Sequence, residues 1–226
     1  MSYNRTKCDA QLGQQVHEYL VKMGVETPSI ARELSRTDKI DIIQQKFQDI
    51  MIALGLDIGD DSLAETPLRY AKMLVNETMW GLDWDAFPKC TTVENKMGYD
   101  EMVVEKNITI KSNCEHHFVP IVGLAHVAYI PKNKVLGLSK IPRICEYFAR
   151  RPQIQERLTE QIFHTLAFVL ETDNIAVVVD ARHLCVSHRG VEDTDAHTIT
   201  SKLGGCFKSD PAARAEFMQA ITRLSP

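Results

Sequence analysis

Apolar residues recur at helical spacing through TDKIDIIQQKFQDIMIALGL, at Ile40, Ile43, Phe47, Ile50, Met51 and Leu54, which predicts a helix with one buried stripe ending near Gly55. A second helix is expected over DDSLAETPLRYAKMLVNETMWG: it opens with an Asp or Ser able to cap it, has Pro67 near its first turn, and stops at Gly81. QQVHEYLVKMG gives a weaker helical pattern ahead of both. After Pro88 the texture changes. EMVVEKNITIKS, VPIVGLAHVAYIP and NIAVVVDARHLCV are rich in β-branched residues and bounded by turn formers, so they read as strands. Between the second and third, LSKIPRICEYFARR and IQERLTEQIFHTLAFVLE predict two helices, the latter with Leu158, Ile162, Leu166 and Val169 on one face. The order predicts a helical arm over residues 1–90. An α+β body follows over 91–226, with helices on one side of a mainly antiparallel sheet. We find no internal repeat.

Composition narrows the class. With 226 residues, 44% hydrophobic and 25% charged, the chain can bury a sizeable core as one functional unit. Its formal charge of -4 argues against a broadly basic nucleic-acid surface. Runs such as IAVVVDA are far shorter than a bilayer span, and MSYNRTKCDAQLGQQ lacks the apolar core of a secretory signal, so we expect no membrane partner and a cytoplasmic location. The six cysteines, at 8, 90, 114, 145, 185 and 206, are scattered rather than densely spaced. In a reducing compartment that pattern points to metal binding or catalysis rather than a disulfide framework.

The chemistry concentrates in SNCEHHFVPIVG, where Cys114 and His117 have the two-residue gap by which a tight turn presents two side chains to one ion. A thiolate with an imidazole suits zinc. If the strand from Ile175 stays extended, then Ile175, Val177, Val179, Ala181, His183 and Cys185 share a face, and Cys185 supplies a third ligand. Three protein ligands leave a position open for water. The alternative is a closed structural site completed by another cysteine or histidine, although neither Cys145 nor Cys206 has knuckle spacing with a partner. His116 and His183 then stand beside the metal as proton donors or acceptors. In GLSKIPRICEYFARRPQIQERL, Lys140 and Arg143 sit three apart at the start of a helix, where backbone N–H groups already favour anions. Arg189, in SHRGV, adds a cation near the metal. These are either a solvated basic face or the pocket of a phosphate-rich substrate held by side chains, since no Walker-type or G-x-G-x-x-G loop is present. Glu156 is by default a helix-dipole partner and otherwise a group that accepts paired N–H bonds from a base edge.

CEHHFVP, GLSKIPRI, RPQIQERLT and HLCVSHRGV, in this order and at these separations, resemble GTP cyclohydrolase I of the bacterial type. The likeness extends to DDSLAETPLRYAKM, FPKCTTVENKM and TSKLGGCFKSDPAARAEF, and covers nearly everything beyond the first 25 or so residues. It implies hydrolysis of GTP at carbon 8 of guanine, release of formate, and ribose rearrangement to 7,8-dihydroneopterin triphosphate, the first step towards folate or tetrahydropterins. It further implies zinc on Cys114, His117 and Cys185, with His116 and His183 as proton-transfer residues and Ser139 at the ribose. By the same resemblance Glu156, helped by Gln155, anchors guanine, and Lys140, Arg143, Arg189 and Arg69 meet the triphosphate. The family's tunnelling fold joins sheets of several subunits into a toroidal decamer of two pentamers with shared sites. Ala196 and His197 depart from the family's usual residues, and His188 has no assigned part. We take His188 and His197 as surface loop residues, His126 as a strand residue and His164 as a helix residue. Two rival readings stand beside this one: a related tunnelling-fold enzyme acting on another purine or pterin, and a non-catalytic zinc-stabilised binding protein.

Overall fold

The computed structural model of the chain describes residues 7–30 and 34–222. The helices are α1 (Ala10–Lys22), α2 (Arg36–Ala53), α3 (Thr66–Met73), α4 (Lys140–Ala149), α5 (Gln155–Leu170), α6 (Leu184–Ser187), α7 (Gly205–Ser209) and α8 (Pro211–Thr222). The strands are β1 (Thr92–Glu94), β2 (Val103–Cys114), β3 (Pro120–Tyr129), β4 (Lys134–Leu136), β5 (Pro152–Gln153), β6 (Ile175–His183) and β7 (Thr198–Leu203).

Strands β5-β2-β3-β6-β7 form one five-stranded sheet, antiparallel except for the short parallel β2–β5 pair, while β1 and β4 make a separate ribbon. The register sets Asn113 opposite Pro120 and Ile121 opposite His183, so the ends of β2 and β6 meet the start of β3 at one end of the sheet. Tyr129, paired with Val103 and Ile175, marks the other end. Alternation sends Ile175, Val177, Val179 and Ala181 to one face, where they pack with Leu158, Ile162 and Leu166 of α5 and Ile141, Ile144 and Phe148 of α4. Each of the larger of these buried side chains contributes on the order of 1.5–3 kcal/mol relative to exposure. This α+β arrangement is the one expected. The opposite face carries a second, smaller cluster in which Ala128, Ala176 and Val178 meet Phe207 and Phe217 from α7 and α8. Helices therefore also reach one corner of that face, a feature that no strong periodic signal announces.

The arm is tied to the body by polar groups as well as packing. Val16 and Leu20 of α1 join the main core. Arg151, 4.6 and 4.8 Å from the centroids of the Tyr147 and Phe148 rings, donates to Gly81 O at 2.7 Å and to Glu26 Oε1 at 2.5 Å. Gln161 Nε2 donates to Val25 O at 3.0 Å.

Three local expectations change. The second predicted helix begins at Thr66, not near Asp60: Asp60 Oδ1 accepts from Ser62 N in a side-chain turn. Pro67, lacking an N–H, suits the first helical turn. The helix then loosens into a π-turn over Leu74–Thr78 and a 3-10 turn over Trp80–Leu82. The expected buried stripe of α2 is buried only at Met51, with Ile50 and Leu54 exposed, because α3 covers one side of α2 and little else touches it. Finally, β6 ends at His183 and Cys185 lies on α6, so His183 and Cys185 do not share a strand face.

Candidate metal centre and active site

At the far end of β2 the chain turns through Glu115–His117 and re-enters the sheet at Pro120. The turn is closed by Phe118 N donating to Cys114 O at 2.9 Å and Cys114 N donating to Val119 O at 2.8 Å. Phe118 adopts a φ of 55°, a left-handed conformation that costs a bulky residue about 1–3 kcal/mol and that the surrounding bonds must sustain. Within this loop Cys114 Sγ lies 3.8 Å from His117 Nδ1. Cys185 arrives from α6, and one ligand atom from each of Cys114, His117 and Cys185 lies within 4.8 Å of the others.

That donor set fits a tetrahedral ion of zinc's size, whose bonds of about 2.0–2.3 Å place ligand atoms a little under 4 Å apart. Burial, reinforced by the adjacent Cys114, holds the Cys185 thiol above its ordinary range, while Arg189 pulls the other way. A cation between the sulfurs reverses that balance, since a coordinating thiol loses its proton. Among the described residues no fourth Cys, His, Asp or Glu joins the group. Cys145 is fully buried in the core, and Cys206 packs beside the second cluster. The described residues thus bring together three side chains able to hold a metal ion.

His116 Nδ1 also lies 3.8 Å from Cys114 Sγ, yet His116 is not in the three-residue group and its side chain is exposed. Between Cys114 and His117, Glu115 is held twice: its N–H donates to Gln153 O at 3.0 Å, and its carboxylate takes a 2.5 Å bond from Arg157. The other carboxylate oxygen is 3.7 Å from His116 Nε2. Sequence reasoning assigned no part to Glu115 or Arg157. Glu115 stood in view inside the motif, but its partner lies 42 positions away on α5, a distance no local pattern bridges.

His183 closes β6 beside the group, its Nε2 2.7 Å from Gln155 Oε1. Burial lowers its affinity for a proton, and neighbouring Glu156, exposed on the first turn of α5, opposes that effect. Arg189 Nη1 is 3.0 Å from His117 Nε2. One end of the sheet thus gathers Cys114, His116, His117, Gln155, Glu156, His183, Cys185 and Arg189.

The remaining site candidates lie elsewhere. The C-terminal end of α4 leads through Arg150 and Arg151 into β5, which pairs next to Cys114. Its N-terminal end, with Ser139, Lys140 and Arg143, stands a helix length of about 15 Å away, near Thr91 and Gly137. Arg69, on α3, is exposed and pairs with Glu65 at 2.7 Å. Of the histidines taken as bystanders, His188 is exposed and His197 is exposed but bonded to Asp180 at 3.0 Å. His126 is buried in β3, and His164 faces Glu160 at 3.2 Å on α5. No helix among the described residues is long and apolar enough to cross a membrane.

Residues 43–222 match the family model described as GTP cyclohydrolase I. Among curated relatives, a GTP cyclohydrolase 1 of Aeromonas hydrophila is 54% identical over 200 residues, covering 88% of this chain and 92% of the relative. One of Vibrio vulnificus is 51% identical over 212 residues, covering 94% and 98%. One of Tolumonas auensis is 54% identical over 203 residues, covering 90% and 94%. The chain belongs to the GTP cyclohydrolase I family, and its α+β architecture is that family's tunnelling fold.

Proposed function

We propose that this chain, as a member of that family, hydrolyses GTP to 7,8-dihydroneopterin triphosphate and formate, with zinc held by Cys114, His117 and Cys185. The observation that carries the reading is the open Cys–His–Cys group with His183 and Glu156 at the same sheet end. Zinc, when bound there, supplies Lewis acidity for attack by water at carbon 8 of guanine. His183 gives a proton to the imidazole ring of the purine as that ring opens. His116 moves protons in the later steps, second hydrolysis and ribose rearrangement, and Ser139 contacts the ribose. Glu156 accepts two N–H bonds from the guanine edge, which adenine does not offer in that arrangement. Lys140, Arg143, Arg189 and Arg69 neutralise the triphosphate.

The distance between the metal end and the cations of α4 supports a site assembled from more than one copy. We take the assembly to be the family's toroidal decamer of two pentamers, in the cytoplasm and without nucleic-acid or membrane partners. The arm, residues 1–90, and the body, 91–226, work as one unit, since Arg151 and Gln161 bind the arm's Val25 and Glu26.

Incubation of the zinc-loaded protein with GTP, followed by oxidation, should give a fluorescent pterin and one formate per GTP. A product mass corresponding to the ring-opened formamide would instead indicate the related purine enzyme. Metal content without formate release would indicate a zinc-stabilised binding protein.

A further inference from the structure

Gln155 opens α5 and is only 1% exposed, although the family resemblance casts it as a helper at the guanine edge. Its amide nitrogen lies 2.7 Å from Thr198 O, 3.0 Å from Val179 O and 3.2 Å from Thr200 Oγ1. Its amide oxygen lies 2.7 Å from His183 Nε2. The two backbone carbonyls decide which end of the amide is which. A carbonyl only accepts, so a flipped amide would face two carbonyl oxygens with its own oxygen and no proton between them.

The threonines agree with this orientation. Thr159 Oγ1 donates to Gln155 O at 2.9 Å, and its oxygen lies 2.6 Å from Thr200 Oγ1. Thr159 having spent its proton on Gln155 O, the Thr200 hydroxyl must donate to Thr159, which leaves a Thr200 lone pair for the Gln155 nitrogen. Groups from β6 and β7 therefore fix the amide, and Thr159 of α5 orients the Thr200 hydroxyl among them.

With Oε1 facing His183, the ring nitrogen opposite has to be the donor. We infer that Gln155 is a positioning residue that holds neutral His183 as the Nε2–H tautomer, leaving Nδ1 to give and take the reaction's proton. This rests on the reading of His183 as a proton-transfer residue. It also separates two neighbours: Glu156 faces solvent and is free to meet a base, whereas Gln155 faces inward and acts through the histidine.

The test uses the full-length, zinc-loaded protein labelled with 15N-histidine, studied by solid-state NMR at alkaline pH where the ring is neutral. The His183 signals are identified by their loss in His183→Asn. A protonated Nε2 and a bare Nδ1 are the expected result, and the reverse assignment overturns the inference. In kinetics, Gln155→Met should keep its zinc and lower kcat by at least about tenfold, since a wrongly held imidazole is costly, with KM for GTP changed less than about threefold. A raised KM with unchanged kcat would make Gln155 a guanine contact and overturn the inference. If the variant does not fold, the nitrogen signals of the unaltered protein decide alone. Should the unaltered protein fail to turn over GTP, the functional reading falls, while those signals still decide the tautomer.

Discussion

The two ends of the molecule are built differently. At the Cys114 end, several polar groups lie close to others from distant parts of the chain: Cys114 by Cys185, Glu115 on Arg157, His183 on Gln155, His117 by Arg189. At the start of α4, by contrast, Lys140 and Arg143 are half-buried away from that end, and along the α2–α3 hairpin a cation and several apolar residues stand open. Among the described residues Arg69 pairs with Glu65 beside it on the helix start, and Ile42, Ile50 and Ile52 of α2, with Leu54 just past its end, are exposed. One chain brings Cys114, His117, Cys185, His183 and Arg189 to one sheet end, whereas Arg69, Lys140 and Arg143 lie apart from them. The contrast teaches that one chain draws the groups of the sheet end together while it leaves Arg69, Lys140 and Arg143 apart from them, which is what the shared site proposed above would require.

The most severe way to break the first region is to remove a ligand. Cys185→Ser, Cys114→Ser or His117→Ala should each leave little zinc per chain and cut turnover by more than about a hundredfold, because losing even an outer partner of a metal ligand costs 10–100-fold. Zinc analysis of the purified variants checks this. Full occupancy in Cys185→Ser would remove that residue from the ligand set.

A smaller loss should follow from the histidines that are not ligands. His116→Ala and His183→Ala should keep their zinc while slowing the reaction by about a hundredfold, the usual scale for a lost general acid or base. Single-turnover formate release, followed alongside the ring-opened formamide, should place the His183 variant at or before ring opening. Loss of zinc from His116→Ala would show that the wrong member of the adjacent pair has been taken as the ligand.

Smaller still is the expected effect of Arg157→Met. It frees the Glu115 carboxylate without touching a ligand, so zinc affinity should weaken by about tenfold. Competition with a chelator reads this directly. Unchanged affinity would reduce the Arg157–Glu115 bond to a surface ion pair of little consequence.

The contrast between the two ends also explains what could be read from the sequence. Cys114 and His117 were legible because a tight turn needs only local spacing, and α5 because Leu158, Ile162 and Leu166 repeat at helical period. Cys185 was found for a mistaken reason: strand alternation put it beside His183, whereas α6 swings it there after β6 has ended. The buried role expected for Ile50 and Leu54 was inferred from periodicity that one chain does not satisfy, since periodicity reports that a face wants covering and not what covers it. Short elements such as β5 and β7 gave no signal, because two to six residues carry too little pattern. Yet Gln153 in β5 and Thr198 in β7 hold the turn and the histidine partner in place.

Mixing two disabled chains tests most directly whether one site draws on two copies. Cys185→Ser removes the metal end, and Arg143→Ala removes a cation from the start of α4; each alone should be inactive or nearly so. After dissociation and reassembly together in equal amounts, about a quarter of the sites should pair an intact metal end with an intact cation from another chain, by random occupancy of a repeating interface. The expected result is recovery of GTP turnover towards about a quarter of the unaltered rate. A mixture that assembles fully yet stays as inactive as its parents would contradict the shared site.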